Sequence, residues 1–153
     1  MGVISAIGNS VAENHIALTE AVCGVKKEFS LFPTKYAGML PFGQVNISSV
    51  SLPGKLNITE PGVTRTTMLA LHAFNEAIRD AQIPLPQLSS FDTALIGAST
   101  VGGMCLTDEL YADANNNTEG SPYTLSYDCA SVALYLQQRF EMNGIINTIN
   151  TAC

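Results

Sequence analysis

The chain has 153 residues, enough for one ordinary domain with a core of its own. Apolar residues make up 46% and charged residues 13%, which excludes a disordered chain. The net charge is −6 and no block of Lys or Arg is present, so a nucleic-acid partner is not expected.

No apolar run approaches the ~20 residues that span a bilayer, and no membrane partner is expected. The N-terminus lacks a cationic segment leading into an apolar core, so a signal peptide is not expected and the location reads as cytoplasmic. Cys23, Cys105, Cys129 and Cys153 have no Cys-x-x-Cys spacing, and His15 and His72 lie far apart in sequence. Neither a zinc site nor a disulfide framework follows, and no cofactor is expected. Cys23, Cys105 and Cys129 read as packing residues.

Val3 to Ile7 is too apolar for a half-exposed strand and reads as a buried central one. Gly8-Asn9 turns the chain. Ser10 and Glu13 form a Ser-x-x-Glu capping box for a helix running to about Val22. His15, on that helix, reads as a surface or boundary residue. Residues 25 to 60 are broken by Pro33, Pro41 and Pro53, with Val45, Ile47 and Val50 suggesting short strands.

Met68, Leu71, Phe74, Ile78 and Ala81 repeat at helical spacing, within a deeply packed helix from Val63 to Ile83. His72 in it reads as a satisfied core or boundary imidazole. Pro84 and Pro86 mark a connection, and Thr93 to Ser99 reads as the next buried strand. Thr100 to Gly103 is a glycine turn, and Cys105 to Tyr111 opens a helix with Asp108 and Glu109 in its early turns. Neither Gly-Lys-Ser/Thr nor Gly-x-Gly-x-x-Gly follows that strand, so a nucleotide site is not expected. Ala112 to Thr124 reads as a polar loop. Asp128 is placed to cap a helix carrying Val132, Ala133, Leu136 and Phe140. Asn143-Gly144 ends that helix, and Ile145 to Thr151 alternates as a strand that leads to Cys153. Strands alternating with helices predict a parallel α/β arrangement with right-handed crossovers.

A cysteine at the exit of a buried strand suits nucleophilic chemistry, since a helix starting there directs N–H groups at the sulfur and favours the thiolate. The ending Ile149-Asn150-Thr151-Ala152-Cys153 resembles the nucleophile strand of β-ketoacyl-[acyl-carrier-protein] synthases, condensing enzymes of the thiolase superfamily. Gly2 to Gly8 looks like the opening strand of that family, Val63 to Ile83 like its first long core helix, and Ala94 to Gly103 like its second core strand and glycine turn. The order and spacing of these four segments cover nearly the whole chain.

The resemblance implies an α/β fold: the N-terminal portion of a thiolase-like fold, with a mixed, mostly parallel sheet and helices packed on it. Residues 1–153 then form one incomplete domain, supplying the first three strands of a sheet ordered 3-2-1-4-5. Thr93–Ser99 would lie between Val3–Ile7 and Ile145–Thr151. The implied reaction is a decarboxylative Claisen condensation of an acyl thioester with malonyl-carrier protein, in fatty acid or polyketide-type synthesis. Cys153 would be the catalytic nucleophile, and Val101 would line the acyl pocket. An acyl carrier protein and a second copy of the chain, paired through the last strand, are the implied partners. Lys and Arg often precede the first core helix in relatives, whereas Lys55 to Gly62 here holds one lysine and one glutamate. The 153 residues alone are expected to be inactive, because the helix and histidines of the implied site fall downstream of Cys153. The alternative is a non-catalytic thiolase-like module that binds a partner.

Overall fold

The computed structural model describes residues 1–28, 31, 34–99, 106–116 and 120–150. The chain divides into two compact units: Met1–Ile58 with Leu71–Gln82, and Thr59–Ala70 with Ile83–Cys153.

In the first unit, residues 3–7 do not form the expected strand. Ser5 and Gly8 make an isolated bridge around a turn, with the Ser5 N–H donating to Gly8 O at 2.8 Å. The side chains explain the departure. Ser5 Oγ donates to Asn14 Oδ1 at 2.5 Å, and the Ile7 N–H donates back to Ser5 Oγ at 3.2 Å. Upstream, the Val3 N–H donates to the Glu76 carboxylate at 2.9 Å. Polar partners therefore take donors that a strand would give to a neighbouring strand. Gly2 fits here because a Cβ would sit 1.8 Å from Ala73 O.

Helix α1, Val11–Thr19, is capped by Ser10, whose Oγ accepts from the Glu13 N–H at 3.2 Å. Glu13 completes the box one residue early, accepting from the Asn9 N–H at 2.7 Å. The helix stops before Val22, and Ala21 takes a positive φ of 54°. His15 is exposed on α1, as expected. Strands β1, Val25–Lys26, and β2, Phe42–Gly43, pair antiparallel. No strand forms at Val45, Ile47 or Val50. The following element is a short helix, α2, Leu52–Leu56, started by Pro53 at its first turn. Ile47, Leu52, Leu56 and Ile58 are buried there. Cys23 is exposed, so the packing expected of it is not found; Cys129 is partly buried, and Cys105 lies outside the described residues.

Helix α3, Arg65–Ala81, fits the expected long helix. Thr64 caps it, its Oγ1 accepting from the Thr67 N–H at 3.1 Å. Burial is shallower than the apolar pattern suggests: of the repeating positions Leu71 is fully buried, while Met68, Phe74 and Ile78 are partly covered. His72 is a satisfied boundary residue, its Nε2 donating to Asn9 O at 2.7 Å. Glu76 also accepts from the Val11 N–H at 2.8 Å, so one carboxylate holds the segment before α1 and the first turn of α1.

In the second unit, Pro84 does not simply connect. It caps a one-turn helix, α4, Leu85–Leu88. Strands β3, Leu95–Ala98, and β4, Ile146–Ile149, pair in parallel, with Leu95 opposite Ile146 and Ala98 opposite Ile149. The crossover contains helix α5, Thr107–Asn116, a 3₁₀ turn at Leu125–Tyr127 and helix α6, Ser131–Arg139. Helix α5 extends five residues into the expected polar loop, and the Asn116 side chain closes its end by donating to Ala112 O at 2.7 Å. Asp128 acts one step before α6. Its Oδ1 accepts from the Ala130 N–H at 2.7 Å, and Ala130 occupies the cap position.

The two hydrogen bonds to Glu76 hold its carboxyl below the usual carboxylate range, that from Val3 having the larger effect. A depressed pKa gives stability that is present above the unfolded carboxylate pKa and is lost as pH falls through the folded one. Glu76→Gln is therefore expected to lower the thermal midpoint at neutral pH, with the gap to the parent chain closing under acid. Calorimetry across that range checks it; a gap independent of pH would contradict the anchoring role.

Candidate active site

Parallel pairing fixes where the candidate residues leave the sheet. Gly144 brings β4 in beside β3 at close range: a Cβ there would lie 1.8 Å from Thr93 O. The Leu95 N–H donates to Ile145 O at 2.9 Å, and the Ser99 N–H to Ile149 O at 3.3 Å, so the ladder extends beyond both strand ends. Leu95, Gly97, Ile146 and Thr148 form one face, and a Cβ on Gly97 would touch Ala133 Cβ of α6 at 3.4 Å. The opposite face is open among the described residues, with Ile96 57% and Ile149 56% exposed. This corrects the reading of 93–99 as a buried strand: among the described residues, α6 packs on one side only.

Val101 and Cys153 both lie outside the described residues, as do Thr100 and Thr151. Their attachment is described. Val101 follows Ala98 by three positions and Cys153 follows Ile149 by four, and Ala98 and Ile149 are register partners. Ser99 and Asn150, the last described residues before them, thus follow the carboxyl ends of adjacent parallel strands, where open α/β sheets place their ligand sites.

The same unit has a cavity of about 510 Å³ that sequence reasoning missed. Pro61, Val63 and Thr64 line one part, Leu125 another, and Leu134 and Tyr135 of α6 a third. Tyr135 Oη donates to Glu60 Oε1 at 2.5 Å, tying the turn before α3 to α6. No motif marks this pair; the 75 positions between the two residues hide it in the sequence. The Tyr135 hydroxyl and the Glu60 backbone N–H hold the Glu60 carboxyl below its usual range. Burial, then the bond to Glu60, pushes the Tyr135 hydroxyl up to about 12. At neutral pH the carboxylate is charged and the phenol protonated, so the pair is a latch and neither member is poised for proton transfer. Among the described residues no cluster of His, Cys, Asp and Glu could hold a metal ion.

Tyr135→Phe is expected to cost about 0.5–1 kcal/mol, kept small by solvent access to Glu60. The loss should be full near neutral pH. It should fade as acid protonates Glu60, whose depressed pKa confines its contribution to pH above that value. It should also fade as base ionises Tyr135, whose raised pKa confines its contribution to lower pH. Urea unfolding at acidic, neutral and alkaline pH reads both limbs.

No protein-family model matches the chain, and no curated protein matches it. Among solved structures it is similar to one described as the ishigamide ketosynthase/chain length factor, with a TM-score of 0.76 and 20% sequence identity. The match covers 99% of this chain and 38% of that one, so the chain spans well under half of its structural neighbour. At that identity the likeness concerns fold: the chain has a mixed α/β fold like that of the matched part of this ketosynthase/chain length factor.

Proposed function

We propose that this chain is the nucleophile-bearing part of a β-ketoacyl-[acyl-carrier-protein] synthase. The observation that carries the reading is the parallel pair β3–β4, whose second strand continues directly into Asn150-Thr151-Ala152-Cys153 within a ketosynthase-like fold. In this reading the Cys153 thiolate attacks an acyl thioester and the carrier thiol leaves. A malonyl thioester then loses CO₂, and its enolate carbon attacks the acyl carbonyl and expels Cys153. Backbone N–H groups, including that of Cys153, serve the developing oxyanions. Val101, three positions after Ala98 in sequence, lines the acyl pocket in this reading. The substrates arrive on an acyl carrier protein.

The 153 residues by themselves do not complete this chemistry. Of their two histidines, His72 is engaged with Asn9 O and His15 is exposed on α1. The test uses an acyl thioester followed by mass spectrometry. In the synthase that carries this chain, acyl mass is expected on Cys153 and is expected to vanish in Cys153→Ala. In the 153-residue chain alone, neither a stable acyl-enzyme nor rapid alkylation of Cys153 at neutral pH is expected. A folded parent protein that is never acylated at Cys153 would instead favour a non-catalytic, partner-binding module.

We also propose a homodimer through the edge of β4, because an unpaired strand edge and an open apolar face invite a second copy. Light scattering at micromolar concentration is expected to give twice the chain mass; a clean monomer would contradict the pairing.

A further inference from the structure

Asn143 is the chain's one asparagine followed by glycine. It lies between α6 and β4, in neither helix nor strand, and it is exposed. Its Nδ2 donates to Ser89 O at 2.9 Å and to Glu141 O at 3.1 Å. Among the described residues the Gly144 N–H has no hydrogen-bond partner. Asparagine is a thermolabile residue, because the main-chain nitrogen that follows it can attack its side-chain carbonyl carbon. A side chain on the following residue hinders that attack, and glycine has none.

The residues on either side of Asn143 are fixed. Met142 is buried, and its N–H donates to Gln137 O at 3.0 Å. Gly144 is pressed against two carbonyls: a Cβ on it would lie 1.8 Å from Thr93 O and 3.1 Å from Phe91 O. One position later the ladder begins, with Ile145 O accepting from the Leu95 N–H at 2.9 Å. The path from Met142 to Ile145 has no slack to take up an extra main-chain atom.

We propose that Asn143 is a self-modification site, where attack by the Gly144 nitrogen converts asparagine to aspartate or isoaspartate and thereby releases the entry of β4. The Gly144 N–H gives its proton to solvent base, and the nitrogen bonds to Asn143 Cγ. The Cγ–Nδ2 bond breaks, and Nδ2 takes up a proton and leaves as ammonia. Water then opens the five-membered imide. Opening at Cγ gives aspartate; opening at the main-chain carbonyl gives isoaspartate, with Cβ inserted into the main chain and the α-carboxylate free. The balance is one water in and one ammonia out. Aspartate turns a donor to two carbonyls into an acceptor-only group that repels them. Isoaspartate also lengthens the main chain by one carbon–carbon bond, about 1.5 Å, between two fixed points. This inference is independent of the chemistry assigned to Cys153.

The test incubates the full chain at physiological pH and temperature beside a synthetic peptide of residues 140–147, and locates products by mass spectrometry with electron-transfer fragmentation. Conversion in the folded chain is expected at Asn143 ahead of every other asparagine, with isoaspartate among the products. Its rate is expected to be roughly tenfold below that of the peptide, since two hydrogen bonds hold the amide. The converted chain carries one more negative charge and separates by ion exchange. Its Leu95 and Ser99 amides, both donors to β4, are expected to exchange hydrogen at least about tenfold faster than in the parent chain. Asn143→Asp, which keeps the main-chain length, is expected to give a smaller acceleration. Asn143→Gln, whose longer side chain disfavours ring closure, is expected to show no conversion over the same period. Should Asn143→Asp fail to fold by circular dichroism, the aged parent chain carries the exchange comparison alone. An intact Asn143 in the folded chain after the peptide has fully converted, conversion of Asn143→Gln at the parent rate, or unchanged exchange at Leu95 and Ser99 in the converted chain would each overturn the proposal.

Discussion

The second unit depends on one constraint: β4 must enter parallel to β3, at a point where only glycine fits. Thr93 O occupies the space that any Cβ at position 144 would need. Given that entry, Leu95 meets Ile146 and the ladder runs on to the Ser99–Ile149 bond. Parallel neighbours cannot be joined by a tight turn, so the chain must leave one end of the sheet and return to the other. Helices α5 and α6 occupy that return path, and α6 covers one face of the pair through Ala133 above Gly97. Side chains so small at that crossing let the helix approach closely, and the geometry brings the continuations of both strands out at a common edge.

The first unit is held differently. A carboxylate on α3, Glu76, gathers the N–H groups of Val3 and Val11, and the His72 imidazole takes the carbonyl of Asn9 between them. Asn14, buried on α1, bonds back to Gly8 O and Ser10 O at 2.9 and 2.8 Å. Polar side chains thus fix the path of residues 3–14, while the apolar burial of this unit is concentrated at Leu52, Leu56 and Leu71. A charge-assisted bond is stronger than a neutral one, which suits a segment that lacks a strand neighbour to pair with.

Legibility in the sequence followed the reach of the interactions. Helix α3, β3 and β4 could be read because periodicity, β-branched residues and glycine act within a few positions. The Ser10 cap was legible for the same reason. Residues 3–7 were misread because a short apolar run looks like a buried strand, and nothing near it reveals that Glu76, more than seventy positions away, takes the Val3 N–H. Val45, Ile47 and Val50 were misread as strands because Pro53 starts a helix just beyond them. Asn115-Asn116 looked like loop, yet Asn116 closes the last turn of α5 with its own side chain. The Glu60–Tyr135 latch had no local signature at all. Cys153 and Val101 were legible as chemistry through a family resemblance, and the structure adds the paired strands that lead to them.

The central claim is that β3 and β4 lie side by side in parallel register, with Ser99 and Asn150 at the same end of the pair. Backbone nuclear Overhauser contacts across residues 95–99 and 145–149 test it most directly. The account predicts contacts that pair Leu95 with Ile146 and Ala98 with Ile149. Contacts pairing Leu95 with Ile149 and Ala98 with Ile146, or none between the two segments, would contradict it.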